Sequence, residues 1–184
     1  MPNHITPPLS REQAKTLKAG EQVLISGVIY AARDAAHKKM IETIESGGKL
    51  PFDIEGQLIY YVGPCPAKPG EVIGSCGPTT SGRMDAYAPK LIALGLTGMI
   101  GKGERIPAVY EAMMAYGAVY FGAIGGAGAL IAKCVEQQEI IAYPELGAEA
   151  LRKLIVKDFP AIVIGDCHGG NIYVSGKEKY AENL

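Results

Sequence analysis

The residues Gly77-Pro78-Thr79-Thr80-Ser81-Gly82-Arg83-Met84-Asp85 crowd three hydroxyls and a guanidinium into a single turn. The apolar run Val72-Ile73-Gly74-Ser75-Cys76 precedes them and predicts a strand, while residues 84–94 predict a helix. A strand, a turn and a helix in that order aim backbone N–H groups and the positive end of the helix dipole at whatever the hydroxyls face, and an anion suits all of them. Arg83 adds a planar fork that matches a carboxylate or a phosphate. An ordinary N-capped helix is the alternative, although one cap needs only one hydroxyl.

Two further cations stand at the ends of expected strands. Arg33 follows Ala31-Ala32, where a long strand gives way to a helix, so it can project into the kind of crevice that holds ligands in α/β folds; the alternative is a solvated surface arginine. Lys102 lies in Gly98-Met99-Ile100-Gly101-Lys102-Gly103, a strand followed by a glycine-flanked cation. A phosphate-binding loop of the form GxxxxGK[ST] is excluded, because Leu96 occupies the first glycine position and Gly103 the hydroxyl position. Glycines around one lysine suit close approach to a small anion, or else a plain turn. Arg33, Arg83 and Lys102 with the hydroxyls of Thr79, Thr80 and Ser81 together match a small dicarboxylate.

The surrounding pattern alternates strands and helices, which implies an α/β core. Ser10 and Gln13 form a capping box ahead of a short helix over 14–19 that Gly20 closes. A strand is expected over 21–30, a helix over 35–46 stopped by Gly47-Gly48, strands over 58–62 and 72–76, a strand at 98–100, a helix over 106–116 and a strand at 119–121. Gly122, Gly125, Gly126 and Gly128 invite a dinucleotide-loop reading, but Ile131 replaces the third glycine, so close backbone packing or a tight turn is expected instead. The tail reads as short strands over 151–156, 161–165 and 171–174 with no helix between, and 165–171 as a hairpin turn.

The nine-residue turn resembles the signature of the β subunit, or C-terminal domain, of the iron–sulfur hydro-lyases that comprise class I fumarases and L-tartrate dehydratases. Tyr30-Ala31-Ala32-Arg33-Asp34-Ala35-Ala36-His37-Lys38, Leu50-Pro51-Phe52-Asp53-Ile54-Glu55-Gly56, Tyr60-Tyr61-Val62-Gly63-Pro64, Gly101-Lys102-Gly103 and Val156-Lys157-Asp158-Phe159-Pro160-Ala161 follow the same family's order, so the resemblance covers nearly the whole chain. It implies one domain over 1–184 with a three-layer β/β/α fold of the swivelling type. It also implies a substrate-carboxylate site made of Arg33, Thr79, Thr80, Ser81, Gly82, Arg83 and Lys102, with Thr79 at the position of the catalytic base. The reaction implied is reversible addition of water across a double bond conjugated to a carboxylate. A [4Fe–4S] cluster with one open iron would act as Lewis acid, ligated by a partner α subunit and not by this chain, in an α2β2 heterotetramer. His37 and Lys38 fall at helix positions that suit a solvent-facing or structural role. Fumarate hydration is the leading expectation, tartrate dehydration the close alternative, and a non-catalytic dicarboxylate-binding or scaffolding subunit the alternative of another class.

Composition limits the rest. At 184 residues, 48% apolar, the chain is long enough for one sizeable core. A formal net charge of −1 without a basic run leaves no footprint for nucleic acid. The stretch 115–132 is broken by tyrosine and glycines and predicts no membrane span. The start, Met1-Pro2-Asn3-His4, lacks the charged and apolar regions of an export signal, so a cytoplasmic location is expected. Cys65, Cys76, Cys134 and Cys167 never form a C-x-x-C pair and read as reduced, buried thiols rather than metal ligands.

Overall fold

Residues 2–181 are described by a computed structural model. Seven strands build its sheet: β1 (Asn3–Ile5), β2 (Gln22–Ala31), β3 (Leu58–Tyr60), β4 (Gly98–Gly101), β5 (Val119–Gly122), β6 (Val135–Ala142) and β7 (Leu151–Gly165). β2, β3, β4 and β5 pair in parallel, in that order, and antiparallel β7 pairs with both β5 and β2. The ladder therefore returns to its starting strand. β1 lies parallel against β2, and β6 antiparallel against β7.

Alternation along the parallel strands separates two cores. Leu58, Tyr60, Ile100, Val119 and Phe121 share one cluster with Ile25, Ile29, Phe159 and Val163. Their neighbours Ile59, Tyr61, Met99 and Tyr120 point the other way, onto Met40 of α2 (Asp34–Glu45), Leu91 of α3 (Ala88–Ala93) and Met113 of α4 (Pro107–Tyr116). Each large side chain so buried contributes about 1.5–3 kcal/mol. Because the strands are apolar on both faces, they read in the sequence as short continuous runs.

Several expectations need correcting. Residues 72–76 are not a strand; the segment after β3 makes an excursion and returns at Thr79, whose N–H donates to Tyr61 O at 2.7 Å. The helix expected over 84–94 is a 3-10 turn, Ser81–Met84, followed by α3, whose first turn carries Pro89. The capping box is present, with Ser10 Oγ accepting from Gln13 N–H, but its helix starts at once, as α1 (Arg11–Thr16). The two strands expected over 151–156 and 161–165 are one strand, β7. It bends at Asp158, whose φ of 49° is left-handed, opposite the bulge at Gly27, and Ser26 Oγ accepts the Asp158 N–H at 2.9 Å. Residues 171–174 are no strand either: Asn171 caps α6 (Ile172–Tyr180), its side chain accepting from Tyr173 N–H. The turn before α6 is held by Asp166, which accepts N–H groups from Ala19, His168 and Gly170. β1, β6, the short α5 (Gly128–Ala132) and a 3-10 segment, Pro144–Glu149, complete the elements. No described helix is long and apolar enough to cross a membrane.

Candidate active site at the ends of the parallel strands

Four parallel strands present their C-terminal ends on one rim, and the candidate residues follow those ends. Arg33 comes two residues after β2, Lys102 directly after β4, and Gly125 three residues after β5. The turn carrying Thr79, Thr80, Gly82 and Arg83 is inserted between the ends of β3 and β4. Thr79 is tied to Tyr61 O, Thr80 forms a parallel bridge with Lys102, and Ser81 N–H donates to Lys102 O at 2.8 Å. Thr80, Gly82, Arg83 and Lys102 are exposed, and Thr79 is half-buried. A Cβ on Gly125 would lie 3.9 Å from Lys102 Nζ, so the segment after β5 borders the lysine.

Arg33 and Arg83 meet at one carboxylate. Arg83 Nη2 donates to Asp34 Oδ2 at 2.9 Å, and Arg33 Nε lies 3.6 Å from Asp34 Oδ1. Arg33 also reaches Glu149 at 3.4 Å, and Glu149 accepts the Ala35 N–H. Arg33 Nε and Asp34 Oδ1 are buried without a hydrogen-bond partner in this arrangement. The Arg33 stem crosses the strand end over Gly63, where a Cβ would stand 2.9 Å from its Cδ. A side chain at Gly63 would force the arginine stem to shift.

Ser81 is placed differently from its neighbours. Its side chain is fully buried, with Tyr120 Oη 2.9 Å from its Oγ, so its hydroxyl faces inward while those of Thr79 and Thr80 remain at the rim. A Cβ on Gly101 would stand 2.0 Å from Ser81 Oγ and 3.0 Å from Tyr61. Gly101→Ala is therefore expected to cost about 1–3 kcal/mol by overpacking, read as a lower urea midpoint. Gly176→Ala, in α6 where an added Cβ meets nothing within 4 Å, is expected to raise stability by about 0.5–1 kcal/mol.

Charged and aromatic groups beneath the rim escaped the sequence reading. Asp85, the last residue of the signature, is buried and accepts from Arg105 Nε and from Ile106 N–H at 2.9 Å. Arg105 lies within 5.3 Å of the Tyr61 ring centroid and 5.0 Å of that of Tyr120. Burial opposes its charge, but Tyr61 and Asp85 outweigh burial and hold its pKa up. The pair anchors the far end of the turn to α4. The only signal in the sequence was an arginine and an acid at two ends of expected elements, which spacing alone could not pair.

His37 has a structural setting. It is fully buried, packed edge-on against Tyr61 at 5.3 Å, with Nδ1 2.8 Å from Arg33 O. Burial lowers its pKa from 6.5 to about 4. The neutral form is thus the folded form, and the unfolded chain binds the extra proton between pH 6.5 and about 4. Stability should be full above pH 6.5 and fall as the pH drops toward about 4, by a total of about 3 kcal/mol. His37→Gln should flatten that part of a denaturation-versus-pH curve. An unchanged slope would contradict the assignment.

No three His, Cys, Asp or Glu side chains among the described residues gather into a group that could hold a metal ion. Burial pushes the Cys76 thiol up to about 12, and all four cysteines are unpaired.

The chain belongs to the fumarase C-terminus family, whose model matches residues 4–176. Among its relatives is the putative L(+)-tartrate dehydratase subunit beta of Methanocaldococcus jannaschii, 40% identical over 182 residues that cover 96% of this chain and 93% of that protein. Fumarate hydratase 2 of Leishmania major is 39% identical over 165 residues, and the anaerobic class I fumarate hydratase of Escherichia coli K12 is 40% identical over 161. These cover 89% and 86% of this chain, and in both cases the chain spans 29% of the relative's length.

Proposed function

We propose that the chain is the β component of a class I fumarate hydratase, a hydro-lyase active only with a partner α subunit. L-tartrate dehydration by the same site chemistry is the close alternative, favoured by the full-length match to a tartrate dehydratase β subunit. One observation carries the reading: a single turn bridges to Lys102 through Thr80 and reaches, through Arg83 and Asp34, the guanidinium of Arg33. Cations from three separate stretches so border a rim where hydroxyls and a 3-10 turn also stand, a set suited to a four-carbon dicarboxylate. As one domain over 1–184, the closed ladder with helices packed on its outside supports the three-layer swivelling arrangement.

In this reading Arg33 and Arg83 hold substrate carboxylate, and Lys102 with Thr80 holds the other charged end. Removing a proton from carbon beside a carboxylate builds dianionic charge on it, which fixed cations stabilise more than they stabilise the substrate. Thr79 is proposed as the group that moves that proton. The [4Fe–4S] cluster is assigned to the α subunit of an α2β2 assembly. Four free thiols suit a reducing, cytoplasmic compartment.

The test is iron analysis after anaerobic purification. The chain alone is expected to carry no stoichiometric iron, and the co-purified complex to carry cluster iron that stays with the partner when the two are separated. Four iron atoms per isolated chain would overturn the assignment.

A further inference from the structure

We propose that the Tyr120 hydroxyl is a positioning group that locks the Thr79-to-Arg83 turn to the Lys102 turn, an inference that rests on the proposed dicarboxylate site. Tyr120 projects from the middle of β5 toward the helices and is fully buried. Its Oη lies 2.9 Å from Ser81 Oγ and 2.8 Å from Gly103 O. A phenol has one proton to donate, and a carbonyl can only accept, so Tyr120 donates to Gly103 O and accepts from the Ser81 hydroxyl. The chain Ser81 to Tyr120 to Gly103 thus has one direction and uses both hydroxyl protons. It joins the residue after Thr79 and Thr80 to the residue after Lys102.

The rest of the contact makes this joint stiff. Ser81 N–H donates to Lys102 O at 2.8 Å, and Gly103 N–H donates to Tyr173 Oη at 3.1 Å, so the Lys102–Gly103 peptide is held through both its oxygen and its N–H. Gly103 has a φ of 83°, a turn that a side chain adopts only under strain. Gly101, below it, leaves room for no atom between the strand and Ser81. The Tyr120 ring is meanwhile fixed by the buried Arg105 guanidinium, 5.0 Å from its centroid, itself paired with Asp85 at the end of the same signature. The side-chain link between the Ser81 turn and the Gly103 carbonyl therefore runs through one oxygen. Misplacing catalytic and binding groups by about 1 Å costs about 10²-fold in rate, so this oxygen governs activity without touching substrate.

Tyr120→Phe keeps the ring and removes only that oxygen. Two measurements read it. In the full chain, amide hydrogen exchange at Ser81 and Gly103 should speed up together by roughly tenfold, while Thr79, tied to Tyr61, changes less. In the assembled complex, kcat/KM for the dicarboxylate should fall by about 10- to 100-fold. Ser81→Ala should do the same, and the double variant should be no worse than either single one, since one bonded chain is broken in all three. Tyr110→Phe serves as the comparison, because the buried Tyr110 hydroxyl has no hydrogen-bond partner among the described residues; its exchange pattern and kcat/KM should match wild type. Unchanged exchange at Ser81 and Gly103, additive kinetic losses, or an equal loss in Tyr110→Phe would each overturn the proposal. Accelerated exchange in Tyr120→Phe alongside a wild-type complex inert toward dicarboxylates would uphold the joint and remove the hydro-lyase reading instead.

Discussion

Arg83→Ala and Arg33→Ala, each made in the assembled complex, are expected to lower kcat/KM by about 30-fold or more. In the proposed site each removes a forked partner from a substrate carboxylate shielded from water, and breaking such a pair costs about 2–5 kcal/mol. At about 1.4 kcal/mol per tenfold, the lower figure already gives the 30-fold loss. The geometry adds that the two losses will not be independent. Asp34 touches both guanidiniums, so removing one leaves the other paired more closely with Asp34 and less free to meet substrate. Arg83 is half exposed in the isolated chain, with a side chain 48% accessible, so its ion pair there contributes little to stability and Arg83→Ala should unfold near the wild-type midpoint. Kinetics within twofold of wild type would place both side chains outside the site.

Thr79→Ala is expected to lower kcat by about 10²–10⁴, the span for loss of a positioned acid–base group, with KM changing far less because in the proposed site Arg33, Arg83 and Lys102 would still hold the carboxylates. Thr79 is half-buried, and its N–H is fixed on Tyr61 O at 2.7 Å, which keeps its side chain at the rim whatever its role. If Thr79 only orients substrate, Thr79→Ser should be near wild type and Thr79→Ala should show a mild kinetic defect. The measurement that separates the two is solvent deuterium exchange at the carbon beside the carboxylate, catalysed by the Thr79→Ala complex. Exchange at the wild-type rate would remove Thr79 from proton transfer.

Local rules carried the sequence reading as far as local rules reach. The capping box at Ser10 and Gln13, the α2 helix and the parallel strands were legible because their caps and apolar periods lie within a few residues. The long β7 was split at Asp158 because a left-handed non-glycine residue within a strand is invisible to periodicity, and its cause, the bulge at Gly27, lies far away in the chain. Residues 72–76 have a strand's composition, yet Cys76 N–H is taken by Gly128 O and no neighbouring strand offers a ladder. Gly128 is a glycine because Ser75 and Gly77 press against it, which is the close packing expected of that glycine-rich segment. For the site, residue types and glycine spacing singled out the rim residues, but not the inward turn of Ser81 or the pairing of Asp85 with Arg105. Both depend on contacts between elements brought together only by the closed ladder.

The central claim is that this chain turns over a four-carbon dicarboxylate only in company with a cluster-bearing α subunit. The most direct measurement is anaerobic hydro-lyase activity, followed with fumarate, L-malate and L-tartrate, for the chain alone, the partner alone and the two reassembled. Turnover of one of these substrates is expected from the reassembled complex and none from either part. Full activity from the isolated chain, or none from a correctly assembled, cluster-loaded complex, would contradict it.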